Sequence, residues 1–95
     1  MPTLDDFAGL CGERFALQDP AGGHVSAELV KAEAVGNTPI NGRQPFSLIF
    51  VGPPTPILPQ RTYRVGHERF SEELDIFLVP IGADAVGVRY QAIFS

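Results

Sequence analysis

Two nearly unbroken apolar runs constrain the fold of this chain more than any other feature. They cover Phe46–Val51 and Ile76–Ile81, and Gly, Pro or charged residues bound each of them. Both runs are shorter than a typical helix, so they predict strands. Because successive strand side chains point to opposite faces, such a run also predicts that the strand is covered on both sides over part of its length. With 95 residues in all, we expect these strands to belong to one domain that spans residues 1–95.

Further segments alternate apolar and polar residues, and clusters of turn residues separate them. In residues 27–35 the alternation changes register near Leu29, which predicts a β-bulge there. The same stretch also has the composition of a helix, but its flanking glycines and the turn after it favour a strand. The predicted strands are therefore 14–18, 24–35, 46–51, 61–65, 73–81 and 86–94.

A short helix is predicted before the first strand. Thr3 and Asp6 have the spacing of a capping box, and Gly12 offers a stop, so the helix is expected over residues 4–11. Leu4, Phe7 and Cys11 recur at the spacing of one helical face. The pattern predicts that this face covers part of the sheet and that the Cys11 thiol is buried and reacts slowly.

These elements predict an all-β fold, a small antiparallel meander barrel or roll of about six strands with one short N-terminal helix. A two-layer sandwich has the same sequence pattern, and the sequence does not separate the two architectures.

Composition excludes several classes of function. Eleven acids against seven bases give a formal charge of −4, which argues against nucleic-acid binding, because Lys and Arg drive that binding. No segment is apolar for the roughly 20 residues that a membrane span needs, and the first residues lack the pattern of a signal peptide. A single cysteine excludes an intramolecular disulfide. We therefore expect a cytoplasmic protein without membrane insertion. Export by a dedicated secretion machine would leave no signal peptide in the sequence and stays open.

No sequence pattern predicts a catalytic, metal-binding or cofactor-binding residue, so we expect no enzyme and no cofactor. Metal sites need several converging ligands, whereas His24 and His67 each stand alone in turns and are expected to be exposed. Ser47 has the alternation of an outward strand position and lacks the context of a nucleophile. Three acids lie close to one another and to two arginines across a predicted hairpin, and cross-strand ion pairing explains them better than paired catalytic carboxylates. These residues are Glu72, Glu73, Asp75, Arg64 and Arg69.

A more informative feature is that the strands carry more apolar side chains than the core and the short helix account for. Each of the two apolar runs has a second side that the short helix hides only in part, and contiguous exposed apolar area usually marks a binding site for another protein. The proline-rich loop after residue 52 either contributes to such a site or folds over the apolar surface. We therefore expect a protein partner or a homo-oligomer as the binding partner. The candidate contact residues are Ile40, Arg43, Ile57 and Leu58.

The alternative function is a small barrel that binds an apolar small molecule. Its cavity would be lined by Phe46, Phe50, Tyr63 and Leu78. Since six short strands are normally filled by their own side chains, the volume of the interior distinguishes the two functions.

Several blocks of the chain resemble a family of small, uncharacterised bacterial all-β domains whose members span the same length. The family has no assigned activity, and its members occur beside phage-tail-collar-like proteins. The resemblance therefore implies a structural or assembly role, with no functional residue carried over. The blocks are Leu4–Phe7, Arg43–Phe50, Leu58–Gln60, Thr62–Tyr63, Phe77–Gly82 and Tyr90–Phe94.

Overall fold

A computed structural model describes residues 2–36 and 44–94. These residues form one short helix followed by six antiparallel strands. The elements are α1 (Leu4–Ala8), β1 (Arg14–Gln18), β2 (His24–Ala34), β3 (Phe46–Gly52), β4 (Arg61–Gly66), β5 (Leu74–Ala83) and β6 (Val88–Phe94).

The strands close into a barrel in the order β1-β2-β3-β6-β5-β4, with β1 paired to β4. This confirms the predicted fold class and selects the barrel over the sandwich. Consecutive strands are neighbours except β3 and β4, which lie opposite each other in the ring of six. The proline loop, residues 53–60, therefore crosses one open end of the barrel instead of making a tight turn. We call this end the proline end and the opposite one, where α1 lies, the helix end.

The strand predictions are confirmed to within a few residues, including β2, where the alternative was a helix. The bulge expected near Leu29 is present: Leu29 pairs with Phe50 and Lys31 with Ile49, so Val30 is the extra residue. A second irregularity, which the sequence did not predict, leaves Ile81 as the extra residue of β5. Both extra residues lack a direct partner, and both have exposed side chains.

The helix closes the helix end of the barrel rather than covering the outside of the sheet. Its Phe7 is fully buried. The ring of Phe7 lies within 6.4 Å, centroid to centroid, of four other phenylalanine rings. These come from the starts of β1 and β3, the end of β6 and the turn after β4: Phe15, Phe46, Phe94 and Phe70.

The helix is also shorter than predicted, which corrects the expectation for Cys11. The capping box of Thr3 and Asp6 is confirmed, but α1 ends at Ala8 with Gly9 as its C-cap. Residues beyond Gly9 leave the helical spacing, so Leu10 is buried while Cys11 is exposed. The prediction of a buried thiol is therefore wrong.

Two buried tyrosines hold the proline loop over the proline end. The hydroxyl of Tyr90, on β6, accepts a hydrogen bond of 2.9 Å from the backbone N–H of Leu58. The hydroxyl of Tyr63, on β4, donates to the carbonyl oxygen of Pro59. Burial raises the pKa of Tyr63 above its ordinary value of 10.0, and the negative charge of Asp19 raises it further. The loop is thus bonded to two strands of the barrel on either side of its crossing.

The start of β6 approaches β3 very closely. Gly87 lies just before β6, and a Cβ atom at this position would overlap the carbonyl oxygen of Gly52 and lie 2.9 Å from Cγ1 of Val51. Only glycine leaves room for this approach.

Candidate interaction surface

The outer side of β3, β6 and β5 carries a continuous apolar surface. Ser47 and Ile49 of β3 pair with Ile93 and Gln91 of β6, and Gln91 also pairs with Val79 of β5. Paired residues project on the same side of a sheet, so these side chains form one face. With Phe77, two residues before Val79 and therefore on the same side of β5, they make the surface that we call the outer face: Ser47, Ile49, Phe77, Val79, Gln91 and Ile93.

Two side chains of the outer face are largely exposed to solvent. Phe77 is 51% exposed and Ile93 is 64% exposed. Ile49 and Val79 beside them are half-buried. The inner neighbours Leu78 and Ala92 are buried in the barrel, so the core already uses the opposite side of each strand. The outer face is apolar surface that the fold of the described residues does not itself need.

Ser47 lies at the β3 side of the outer face. It alternates with the inward residues Phe46 and Leu48, as predicted, but it is buried rather than exposed. Its short side chain lies between those of Glu33 and Ile93, its partners on the two neighbouring strands. These longer side chains shield it from solvent.

Two ion pairs within the chain lie beside the outer face. On β2, Lys31 Nζ lies 3.4 Å from Glu33 Oε1. On β4 and β5, Arg64 Nε lies 3.6 Å from Asp75 Oδ1, so these two of the five residues predicted to form cross-strand ion pairs do so. All four of these side chains are more than half exposed, so the pairs contribute little to stability. Glu28, which pairs with Val51 on the same side of the sheet, is a further acid at the border of this face.

A third pair completes this border near the turn between β5 and β6. Arg89 Nη1 donates to Asp84 Oδ2 at 3.0 Å. This hydrogen bond, followed by those from the backbone N–H groups of Gly87 and Val86, holds the pKa of the Asp84 carboxyl below its ordinary value. The carboxylate is therefore the stable form at neutral pH.

The proline loop contains two of the predicted contact residues, and the two differ in exposure. Ile57 is 57% exposed, whereas Leu58 is only 6% exposed and belongs to the core. The loop therefore folds over the barrel through Leu58, and only Ile57 is free to meet a partner. Ile40 and Arg43, the other two candidates, lie outside the described residues.

The side chains expected to line a ligand cavity are brought together inside the barrel. Phe46, Phe50, Tyr63 and Leu78 are all buried and belong to one continuous hydrophobic cluster. Within it, the rings of Phe15 and Phe50 meet edge to face with centroids 5.4 Å apart. Side chains of the chain itself thus occupy this part of the interior.

His67 is buried, which corrects the expectation that both histidines are exposed; His24 is exposed as predicted. The Nδ1 atom of His67 accepts a hydrogen bond of 3.0 Å from the backbone N–H of Arg69, so its Nε2 atom carries the proton. Nε2 lies 2.8 Å from Glu13 Oε1 and donates to it. No local sequence pattern indicates this pair, because its partners are 54 residues apart. With both ring nitrogens bonded, His67 ties the turn after β4 to the start of β1.

A polar groove of about 440 Å³ lies outside the barrel between β1, β4 and β5. Its charged groups are already engaged: Asp19 accepts from Arg61 at 3.2 Å, and Arg64 pairs with Asp75. Among residues 2–36 and 44–94, no cluster of three or more His, Cys, Asp or Glu side chains is placed to hold a metal ion. No helix in those ranges has the length and hydropathy to cross a membrane.

The second side of the two apolar runs, which was expected to be hidden only in part, contributes Ile49, Phe77 and Val79 to the outer face. None of the four predicted contact residues belongs to this face, and Ile93 was not predicted as a contact residue. The signal was present, because Ile93 alternates with the inward series Tyr90, Ala92 and Phe94.

Comparison with known families gives one match. A family model described as a domain of unknown function, DUF6916, matches residues 2–94. No curated protein and no solved structure matches the chain.

Proposed function

We propose that this chain, which belongs to the DUF6916 family of domains of unknown function, is a non-enzymatic structural or assembly module that binds another protein through its outer face. The observation that carries the proposal is the exposure of Phe77 and Ile93 beside half-buried Ile49 and Val79 on three neighbouring strands. Scattered apolar side chains are normal on protein surfaces, whereas a contiguous apolar face with a polar border is typical of interaction sites.

The barrel is a suitable support for such a face. Each strand of the outer face buries its other side in the core, so the backbone that carries Phe77 and Ile93 is held in place. A preformed surface needs little ordering when a partner binds, which lowers the entropic cost of association.

The chain would act in a bacterial assembly of the phage-tail-like kind, in which it binds a protein partner or forms an oligomer. The resemblance of the sequence blocks described above supports this setting. Nothing in the proposal requires a catalytic residue or a cofactor.

The alternative, a barrel that holds an apolar small molecule, would use Phe46, Phe50, Tyr63 and Leu78. Because these side chains pack in one hydrophobic cluster, the outside of the barrel is favoured over its interior as the binding site.

Affinity capture from a native lysate of the source organism tests the proposal. The bait is the wild-type chain or a variant with Phe77→Thr and Ile93→Thr, because Thr is polar and is favoured in strands. Val86→Thr is the matched control, because Val86 is 77% exposed but lies in the turn after β5. We expect one protein to be retained by the wild type and the control and lost with the double variant. Retention of the same proteins by all three baits would contradict the proposal, provided that circular dichroism shows all three folded.

A further inference from the structure

We propose that His67 is a pH-sensitive switch at the helix end of the barrel. While its ring is neutral, it holds the turn formed by residues 67–70, and when the ring takes up a second proton, the turn from Arg69 onward is released. The switch goes beyond the proposed function and does not depend on the outer face. The two hydrogen bonds of the ring, its burial and the contacts of the turn carry this proposal.

The two ring nitrogens of His67 bond to two different segments. Nδ1 accepts the 3.0 Å hydrogen bond from the backbone N–H of Arg69, within the turn itself. Nε2 donates the 2.8 Å hydrogen bond to Glu13, in the segment before β1. A neutral imidazole has one acceptor and one donor nitrogen, whereas both nitrogens of a charged ring are donors. The arrangement therefore fits the neutral ring.

A second proton breaks one of these bonds and keeps the other. It enters at Nδ1, the nitrogen that carries no proton, and turns this atom from an acceptor into a donor. The N–H group of Arg69 then faces another N–H group, so the hydrogen bond between them is lost. The bond from Nε2 to Glu13 becomes an ion pair, so the ring stays attached to the segment before β1. Protonation therefore releases the backbone of the turn and not the ring.

The burial of the ring makes the turn open when the bond is lost. The side chain of His67 is only 3% exposed. Its ring lies against the ring of Phe15, with centroids 4.6 Å apart. A buried donor that has no acceptor is costly, so the charged ring needs water at Nδ1. The turn has to move away before water reaches that atom.

The charged residues on the segments beside the ring allow it to become charged. Glu13 lies against Nε2 and already supplies the opposite charge that a protonated ring needs. Among all the charged residues of these segments, four are acids and two are bases, so their net charge is negative. These residues are Glu13 and Arg14 before and at the start of β1, and Glu68, Arg69, Glu72 and Glu73 between β4 and β5.

The turn carries Phe70, one of the four rings that hold α1 in place. The N–H group of Phe70 donates to the carbonyl oxygen of His67 at 3.0 Å, so the position of Phe70 depends on the turn. Its ring centroid lies 5.4 Å from that of Phe7, closer than the other three rings. With five residues, α1 is too short to persist without such docking. Opening of the turn therefore loosens α1 and uncovers the aromatic side chains at the helix end.

Nuclear magnetic resonance of the isotope-labelled chain, from about pH 8 to about pH 5, tests the switch, because histidine is the side chain that ordinarily changes charge in this range. At the upper end of the range, the amide nitrogen of Arg69 and Nδ1 of His67 should show a coupling across their hydrogen bond. On acidification, this coupling should vanish as the ring signals of His67 report the second proton. The hydrogen-exchange protection of the Arg69 amide should then fall about 5–10-fold, the effect of one hydrogen bond. The ring signals of Phe7 and Phe70 should shift over the same interval.

Two variants are the controls. His67→Asn places an amide oxygen near the position of Nδ1, and this oxygen accepts from the backbone N–H two residues on without titrating. The Arg69 amide should therefore stay protected over the whole range in this variant. His24→Gln removes the other histidine of the chain, which is exposed, and should leave the behaviour of Arg69 and Phe70 unchanged.

A His67 ring that stays neutral down to about pH 5 would overturn the inference, because the switch would then have no trigger. A ring that takes up the proton while the signals of Phe7 and Phe70 stay in place would overturn it as well, because the turn would not be released. Loss of Arg69 protection in His67→Asn at the same pH would show that another group is responsible. Circular dichroism at each pH follows the whole fold, and global unfolding in this interval would also contradict a local switch.

Discussion

Replacement of Leu58 by Ala is expected to destabilise the barrel strongly, although Leu58 lies in a loop. Its side chain is 6% exposed and belongs to the hydrophobic core. Truncation of a buried Leu to Ala typically costs about 2–5 kcal/mol in the free energy of unfolding. Because the proline loop can partly relax toward the end of the barrel, we expect a value of about 2–3 kcal/mol. Ile57→Ala, at a neighbouring position that is 57% exposed, is the matched control and should cost no more than about 0.5 kcal/mol.

Thermal and urea unfolding followed by far-ultraviolet circular dichroism measure this difference, since the chain has no Trp to report by fluorescence. For a domain of this size, 2–3 kcal/mol corresponds to a fall in Tm of roughly 10–20 °C. Equal effects of the two substitutions, or a Leu58→Ala variant that melts like the wild type, would refute the reasoning. The loop would then not be part of the core.

The hydrogen bond from Leu58 to Tyr90 gives the same prediction a second test. Tyr90→Phe removes the hydroxyl that accepts the backbone N–H of Leu58, and a buried donor left without an acceptor costs about 1–3 kcal/mol. Leu58→Ala keeps the backbone N–H that bonds to Tyr90, but both substitutions loosen the attachment of the same loop, so the double variant should lose less stability than the two single losses added together. Additive losses would show that the loop and the strand are stabilised independently.

Three further outcomes follow from the same structure. Gly87→Ala should lower the free energy of unfolding by about 1–3 kcal/mol, because the new methyl group would overlap the neighbouring strand, whereas Gly82→Ala, which meets open space, should change it little in urea unfolding. Stability should fall as the pH rises above 10, because the unfolded chain then loses the Tyr63 proton that the folded chain retains for its hydrogen bond to Pro59. Unfolding curves measured at several pH values should show this dependence, and Tyr63→Phe should flatten it. Cys11 should react with a thiol reagent at nearly the same rate in native buffer and in denaturant, and a strong slowing in native buffer would contradict its exposure.

The strands of this barrel were predictable because their signals are local. Apolar residues alternate along β1, β4 and β6, turn residues separate the strands, and the change of register at Val30 is visible in the order of side chains. Each of these features depends on the residues within one segment and their immediate neighbours.

The features that the sequence did not reveal depend on contacts between distant segments. Cys11 was expected to be buried because the helical spacing was extended past Gly9, where the helix ends. His67 is buried because a turn from the far half of the chain folds against Phe15 and bonds to Glu13. The outer face is assembled from β3, β6 and β5. The exposure of Ile93 therefore indicates an apolar surface only once Ser47 and Phe77 are known to lie near it.

Photo-crosslinking from position 93 in the source cells tests the central claim most directly. A photo-reactive amino acid replaces Ile93 in one strain and Val86 in another, since both side chains are largely exposed and only Ile93 belongs to the outer face. The account predicts that irradiation joins the chain covalently to a protein from position 93 and not from position 86. No adduct from position 93, or the same adducts from both positions, would contradict the claim that the outer face is where this barrel meets another protein.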